Sequence, residues 1–122
     1  MEIEYPITFL YFRDLAPAVA FFQDVLRLSV SRDQGWCMIF AVGPQAHVGL
    51  VDEKRGSLRA TRDKAVLFTL VVDDVEAWHD HLERCGVANL TPVKTSDEIR
   101  VRGFFFDGPE GYRFEVQRFL ND

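Results

Sequence analysis

The chain has 122 residues, a net charge of −5, 48% hydrophobic residues and eleven Phe, so it can fill a core but is too short for two ordinary domains. The acidic balance excludes a general nucleic-acid or membrane-surface binder, which needs a basic face, and no apolar run approaches membrane-spanning length. Two distant cysteines, Cys37 and Cys85, lack a metal-binding spacing, and with no leader-like opening segment they predict reduced thiols in a cytoplasm.

Residues 3–12 read as a strand with two largely apolar faces, Ile7, Phe9 and Tyr11 on one and Thr8, Leu10 and Phe12 on the other. Asp14 is read as the N-cap of a helix over about 15–27, with Pro17 in its first turn and Leu15, Val19, Phe22 and Leu26 on its buried stripe. Strands follow over 28–32, 36–42 and 46–52, separated by turns at 33–35 and 43–44. Trp36, Met38 and Phe40 share one face of the second of these, suited to core packing or to stacking a planar ligand. Residues 53–64 carry five basic residues, Lys54, Arg55, Arg59, Arg62 and Lys64, and read as a solvated connection; the sharper reading is a flap that brings cations to an anionic ligand.

The pattern then restarts. An apolar strand over 65–72 leads through Asp73-Asp74 into a helix over about 75–86, with Asp74 as its cap and Val75, Trp78, Leu82 and Cys85 on its buried side. Residues 89–94, broken by Pro92, make at best an edge strand, and 99–106 make a better one. The turn Asp107-Gly108-Pro109-Glu110-Gly111 reverses the chain into a last strand. There Tyr112, Phe114 and Val116 point one way and Arg113, Glu115 and Gln117 the other.

A shift of about sixty residues aligns Phe9–Leu15 with Thr69–Val75, matching Leu10 to Leu70, Asp14 to Asp74 and Phe22 to Leu82. The expectation is therefore an α+β chain of two βαβββ modules, about 1–53 and 65–122, joined by a basic loop over 54–64. One helix covers one face of a four-stranded sheet, so each module leaves its other face bare. Two such faces can be cupped around a cavity as a mostly antiparallel eight-stranded arrangement, which turns Ile7, Phe9, Tyr11, Leu67, Thr69 and Val71 inward together with Glu115.

Phe12-Arg13-Asp14-Leu15 and Val72-Asp73-Asp74-Val75 open the helices of the two modules. With Ala20-Phe21-Phe22-Gln23-Asp24-Val25-Leu26 and the run from Phe106 through Glu115, they make the chain resemble the vicinal oxygen chelate superfamily, which includes glyoxalase I, extradiol dioxygenases, fosfomycin-resistance enzymes and bleomycin-binding resistance proteins. The resemblance covers nearly the whole chain. It implies metal ligands seven residues before each helix-capping Asp, in the fourth strand and at the Glu of the last strand. Those positions are Ile7, Leu67, Gly49 or Leu50, and Glu115, and only Glu115 has a donor. A lone carboxylate does not hold a catalytic ion, so no metal or other cofactor is expected.

His47 shares a face with Gly49 and is the candidate acid/base partner of Glu115, against the plainer reading of a histidine near a strand end. Without a metal, Glu115 can instead pair with Arg113, Arg100 or Arg102. His79 with Glu83, and His81 with Cys85, have helical spacing but lack a third ligand. The favoured function is a metal-free module binding a small amphipathic or aromatic ligand through Ile7, Phe9, Tyr11, Trp36, Leu67, Thr69, Arg100, Arg102, Arg113 and Gln117, with Glu115 and His47 as polar anchors. The competing classes are a metal-dependent lyase, isomerase or dioxygenase, a metal-free enzyme using Glu115 and His47, and a structural or regulatory subunit with a filled cavity. The resemblance also implies a homodimer.

Overall fold

Each half begins with a short strand whose alternate residues part to opposite faces, and the face that a helix can reach is the one that fills with Phe. In the computed structural model, which describes residues 1–120, the first half contains β1 (Ile7–Phe12), α1 (Leu15–Ala20), β2 (Ser29–Asp33), β3 (Cys37–Val42) and β4 (Ala46–Asp52). The second half repeats the order with β5 (Leu67–Val71), α2 (Val75–Cys85), β6 (Lys94–Ser96), β7 (Val101–Asp107) and β8 (Arg113–Phe119). The chain divides into two compact units between Thr61 and Arg62, inside the basic stretch.

The eight strands fall into two four-stranded mixed sheets, ordered β1-β4-β3-β2 and β5-β8-β7-β6. In each, the first strand lies parallel to the last, and the other pairings are antiparallel. The register fixes the faces. Phe9 pairs with Gly49 and Thr69 with Glu115, so Gly49 is the first unit's counterpart of Glu115.

In the first unit, Leu10, Phe12, Phe22 and Phe40 are buried between helix and sheet, with Phe22 and Phe40 ring centroids 5.8 Å apart. In the second unit, Phe104, Phe106 and Phe114 do the same, with Phe106 stacked on Phe114 at 5.2 Å. Truncating any of these buried rings to Ala would cost about 3–5 kcal/mol.

The first helix differs from its expected form. It is α-helical only to Ala20 and then widens into a π-helical stretch, Phe21–Val25, in which the Leu26 amide donates to the Phe21 carbonyl at 3.1 Å. Its cap residue Asp14 makes no side-chain capping bond, whereas Asp74 accepts from the Ala77 amide at 3.0 Å. Gly86, at φ +72°, closes α2 in the left-handed conformation. The edge strand expected at 89–94 is displaced to Lys94–Ser96, beyond Pro92 and the left-handed Asn89. Among the described residues no helix is long and apolar enough to cross a membrane.

Candidate functional site

The open face of the first sheet carries Ile7, Phe9 and Tyr11 from β1, His47, Gly49 and Val51 from β4, and Cys37, Ile39 and Ala41 from β3. Cys37, Ile39 and Val51 form a small buried cluster with Ile7 and Tyr11 packed against it. Burial pushes the Cys37 thiol above its ordinary pKa. Phe9 remains 44% exposed, and its ring lies where any side chain at position 49 would have to go.

The chain after β4 folds back onto this face. The amides of Arg55 and Gly56 donate to the Asp52 carbonyl, both at 3.0 Å, and the Ala60 amide donates to Glu53 Oε1 at 3.0 Å. Arg59 Nη1 donates to the carbonyls of Glu53 and Leu58. Gly56 sits so close to Tyr11 and Val51 that a Cβ there would collide with both. Next to it the Tyr11 hydroxyl is 3.3 Å from Ser57 Oγ, and the Arg55 guanidinium lies over the Trp36 ring, 5.7 Å from its centroid. These groups, with Phe9, Gln34, Cys37 and Val51, line a pocket of about 430 Å³.

Trp36 belongs to this pocket and not to the row expected for it. Asp33 Oδ1 accepts from the Gly35 amide, Gly35 stands at φ +80°, and the Trp36 amide donates to the Gln34 carbonyl, so regular alternation starts only at Cys37. Met38 and Phe40 lie on the opposite side: Phe40 is buried beneath Phe22, and Met38 borders a groove of about 590 Å³ along α1. His47 packs against Tyr5 with tilted rings whose centroids are 4.6 Å apart, and its Nδ1 is buried without a hydrogen-bond partner among the described residues.

In the second unit the last strand alternates as read from the sequence. Tyr112, Phe114 and Val116 are buried, while Arg113, Glu115 and Gln117 are half-buried on the open face beside Leu67, Thr69 and Val71. The partner of Glu115 is Thr69, whose hydroxyl donates to Oε1 at 2.8 Å. The expected arginine partners are used elsewhere. Arg113 donates to Asp107 Oδ1 at 2.8 Å and lies over the Phe105 ring. Arg102 is on the helix side of β7, where its Nε donates to Glu76 Oε2 at 2.7 Å and its Nη1 to Thr95 Oγ1 at 2.9 Å. Arg100 is not on the strand at all; it sits in the preceding turn at φ +57°. Phe105 and Gly103 pair with Glu115 and Gln117, so the alternation of β7 puts Arg102 on the face opposite Glu115.

Asp107 is held below the ordinary carboxylate range, first by the Asn89 side-chain amide, which donates to Oδ2 at 2.6 Å, and then by Arg113, with partial burial opposing both. On α2, Asp80 joins His79 and Glu83, with one ligating atom from each within 4.8 Å of the others. His79 Nε2 is 2.9 Å from the Thr91 carbonyl and therefore donates its proton there.

The residues at the metal positions implied by the resemblance do not fit a divalent ion. Ile7 and Leu67 have no donor atoms, the register selects Gly49 over Leu50, and Phe9 fills the space beside Gly49. Glu115 alone does not fit an ion that needs about three protein ligands. The sequence reading missed the contribution of Gln34, Arg55 and Ser57 to the pocket. The signal available was the basic stretch itself, with Gly56 in its middle.

None of the curated proteins matches the chain in sequence. Among solved structures it is similar to a conserved domain protein (15% identity, 98% of this chain and 99% of that one, TM-score 0.81). It is similar to a glyoxalase/bleomycin resistance protein/dioxygenase from Nocardioides (18% identity, 99% and 85%, TM-score 0.78). It is also similar to a lactoylglutathione lyase from Agrobacterium tumefaciens (22% identity, 92% and 90%, TM-score 0.73). These likenesses concern the fold. The sequence profile that matches residues 6–116 is that of the Glyoxalase/Bleomycin resistance protein/Dioxygenase superfamily, and the chain belongs to that superfamily.

Proposed function

We propose that this chain binds a small molecule on the open face of its first sheet and does so without the superfamily's divalent metal. The observation that carries the reading is the pocket of about 430 Å³ walled by Phe9, Tyr11 and Trp36, a size and lining suited to a small ligand. The donor-poor positions Ile7, Gly49 and Leu67 support the second half of the reading. In this role Glu115, bound to Thr69, is a polar group of the second sheet and not a metal ligand. A homodimer is part of the proposal, by resemblance to other short two-module members.

The test is calorimetric titration of the purified protein with Zn²⁺, Ni²⁺ and Mn²⁺, beside native mass spectrometry of freshly purified material. No stoichiometric binding that depends on Glu115 is expected, and the mass spectrum should show a dimer that retains a small molecule or takes one up. Tight one-to-one binding abolished by Glu115→Gln would establish the metal-dependent alternative. A His79→Ala control separates any ion held on α2 from one held by Glu115.

A further inference from the structure

We infer that the pocket of the first unit selects a planar aromatic anion, of the aryl carboxylate class. This rests on the small-molecule reading above and adds the charge and shape of the ligand. The whole chain is acidic, at −5, which by itself would favour a cation. The pocket has the opposite local balance: its lining includes no carboxylate and one cation, Arg55.

Every other arginine whose side-chain bonds are described above is occupied: Arg59 by backbone carbonyls, Arg102 by Glu76 and Arg113 by Asp107. Among the described residues the Arg55 guanidinium has neither a hydrogen bond nor an ion pair, and its one neighbour in that sense is the Trp36 ring. Its donors are therefore available in the fork geometry that matches a carboxylate. Trp36 and Phe9, 37% and 44% exposed, both line this pocket and give an aromatic ligand apolar ring surface to pack against. Ser57 and Gln34 add neutral polar groups at the margin. The backbone of Arg55 is tied to Asp52, so the cation is held at the pocket without being spent there.

The experiment uses the full chain with Trp78→Phe, so that Trp36 is the only tryptophan and its fluorescence reports the pocket. It is titrated with 2-naphthoate, with the neutral 2-naphthylmethanol and with the cationic 2-naphthylmethylammonium. The expected result is that naphthoate binds about tenfold or more tighter than the alcohol, with the ammonium weakest, as a charge-assisted contact implies. Arg55→Gln should bring naphthoate to the affinity of the alcohol while the alcohol's own affinity stays, and Arg55→Lys should keep part of the difference. Equal affinities for acid and alcohol, or a preference for the ammonium, would overturn the inference and leave the small-molecule reading standing. If none of the three binds, the reading itself falls and this inference with it.

Discussion

Two strand glycines, Gly49 on β4 and Gly103 on β7, face different obstacles. A Cβ on Gly49 would meet the outer atoms of the Phe9 ring, and that half-exposed ring can rotate away. A Cβ on Gly103 would meet the backbone carbonyl of Val116 and the Cβ of Gln117, and a paired strand cannot yield without losing its ladder. Gly103→Ala should therefore destabilise by about 2 kcal/mol or more, in the range of forced overpacking. Gly49→Ala should cost under about 1 kcal/mol, since loss of unfolded-state freedom offsets part of the strain. Urea midpoints of the two variants decide the order, and a Gly49→Ala variant as damaged as Gly103→Ala would show that Phe9 is locked and not adaptable. The alternation of the last strand was legible in the sequence because a period of two fixes faces without reference to anything else. The occupant of the space beside Gly49 was not, because no local pattern announces that a neighbouring strand's ring will lie there.

At the level of elements, the loop at Asn89 is fastened to the β7–β8 hairpin by one carboxylate. Asp107 accepts from Asn89 and from Arg113, and the Asp107 amide donates to the Ala88 carbonyl at 2.8 Å. Its pKa in the folded state lies below the ordinary value. The unfolded state therefore takes up the proton first as pH falls, and the stability due to this carboxylate is full above about pH 4 and lost as pH drops through the lower folded pKa. Urea unfolding of the parent and of Asp107→Asn should show a gap at neutral pH that closes below about pH 4. A gap of constant size down to pH 3 would mean that the Asn89 and Arg113 contacts contribute nothing specific to the ionised form. The order of strands and helices was readable from periodicity and turn residues. The ends were less so: Trp36 and Arg100 were each assigned to a strand that starts one residue later, because the turns at Gly35 and at Arg100 use left-handed backbone that composition alone does not locate. The basic stretch is largely exposed, as its composition implies, but Gly56 and Ser57 within it lie against Tyr11. The order of this stretch comes from Glu53 and Asp52 accepting nearby amides, which a charge-rich composition hides.

For the whole chain, the doubled βαβββ pattern gave the fold class directly, since each unit has its own strand order and its own Phe-filled layer. The division between Thr61 and Arg62 then makes a prediction about where the chain opens first. Three basic residues near it are candidates for trypsin. Arg59 is held by the Glu53 and Leu58 carbonyls, and the Lys64 ammonium lies over the Tyr112 ring at 4.8 Å. Arg62 is exposed and lies in a stretch without helix or strand. Limited trypsin digestion should therefore cut first after Arg62, giving residues 1–62 and 63–122, at a rate that does not require global unfolding. Mass spectrometry of the earliest fragments reads this directly. A first cut within a sheet, after Arg32 or Arg118, would mean that local opening of an edge precedes exposure of the connection, and that the basic stretch is bound more firmly than its lack of regular structure implies.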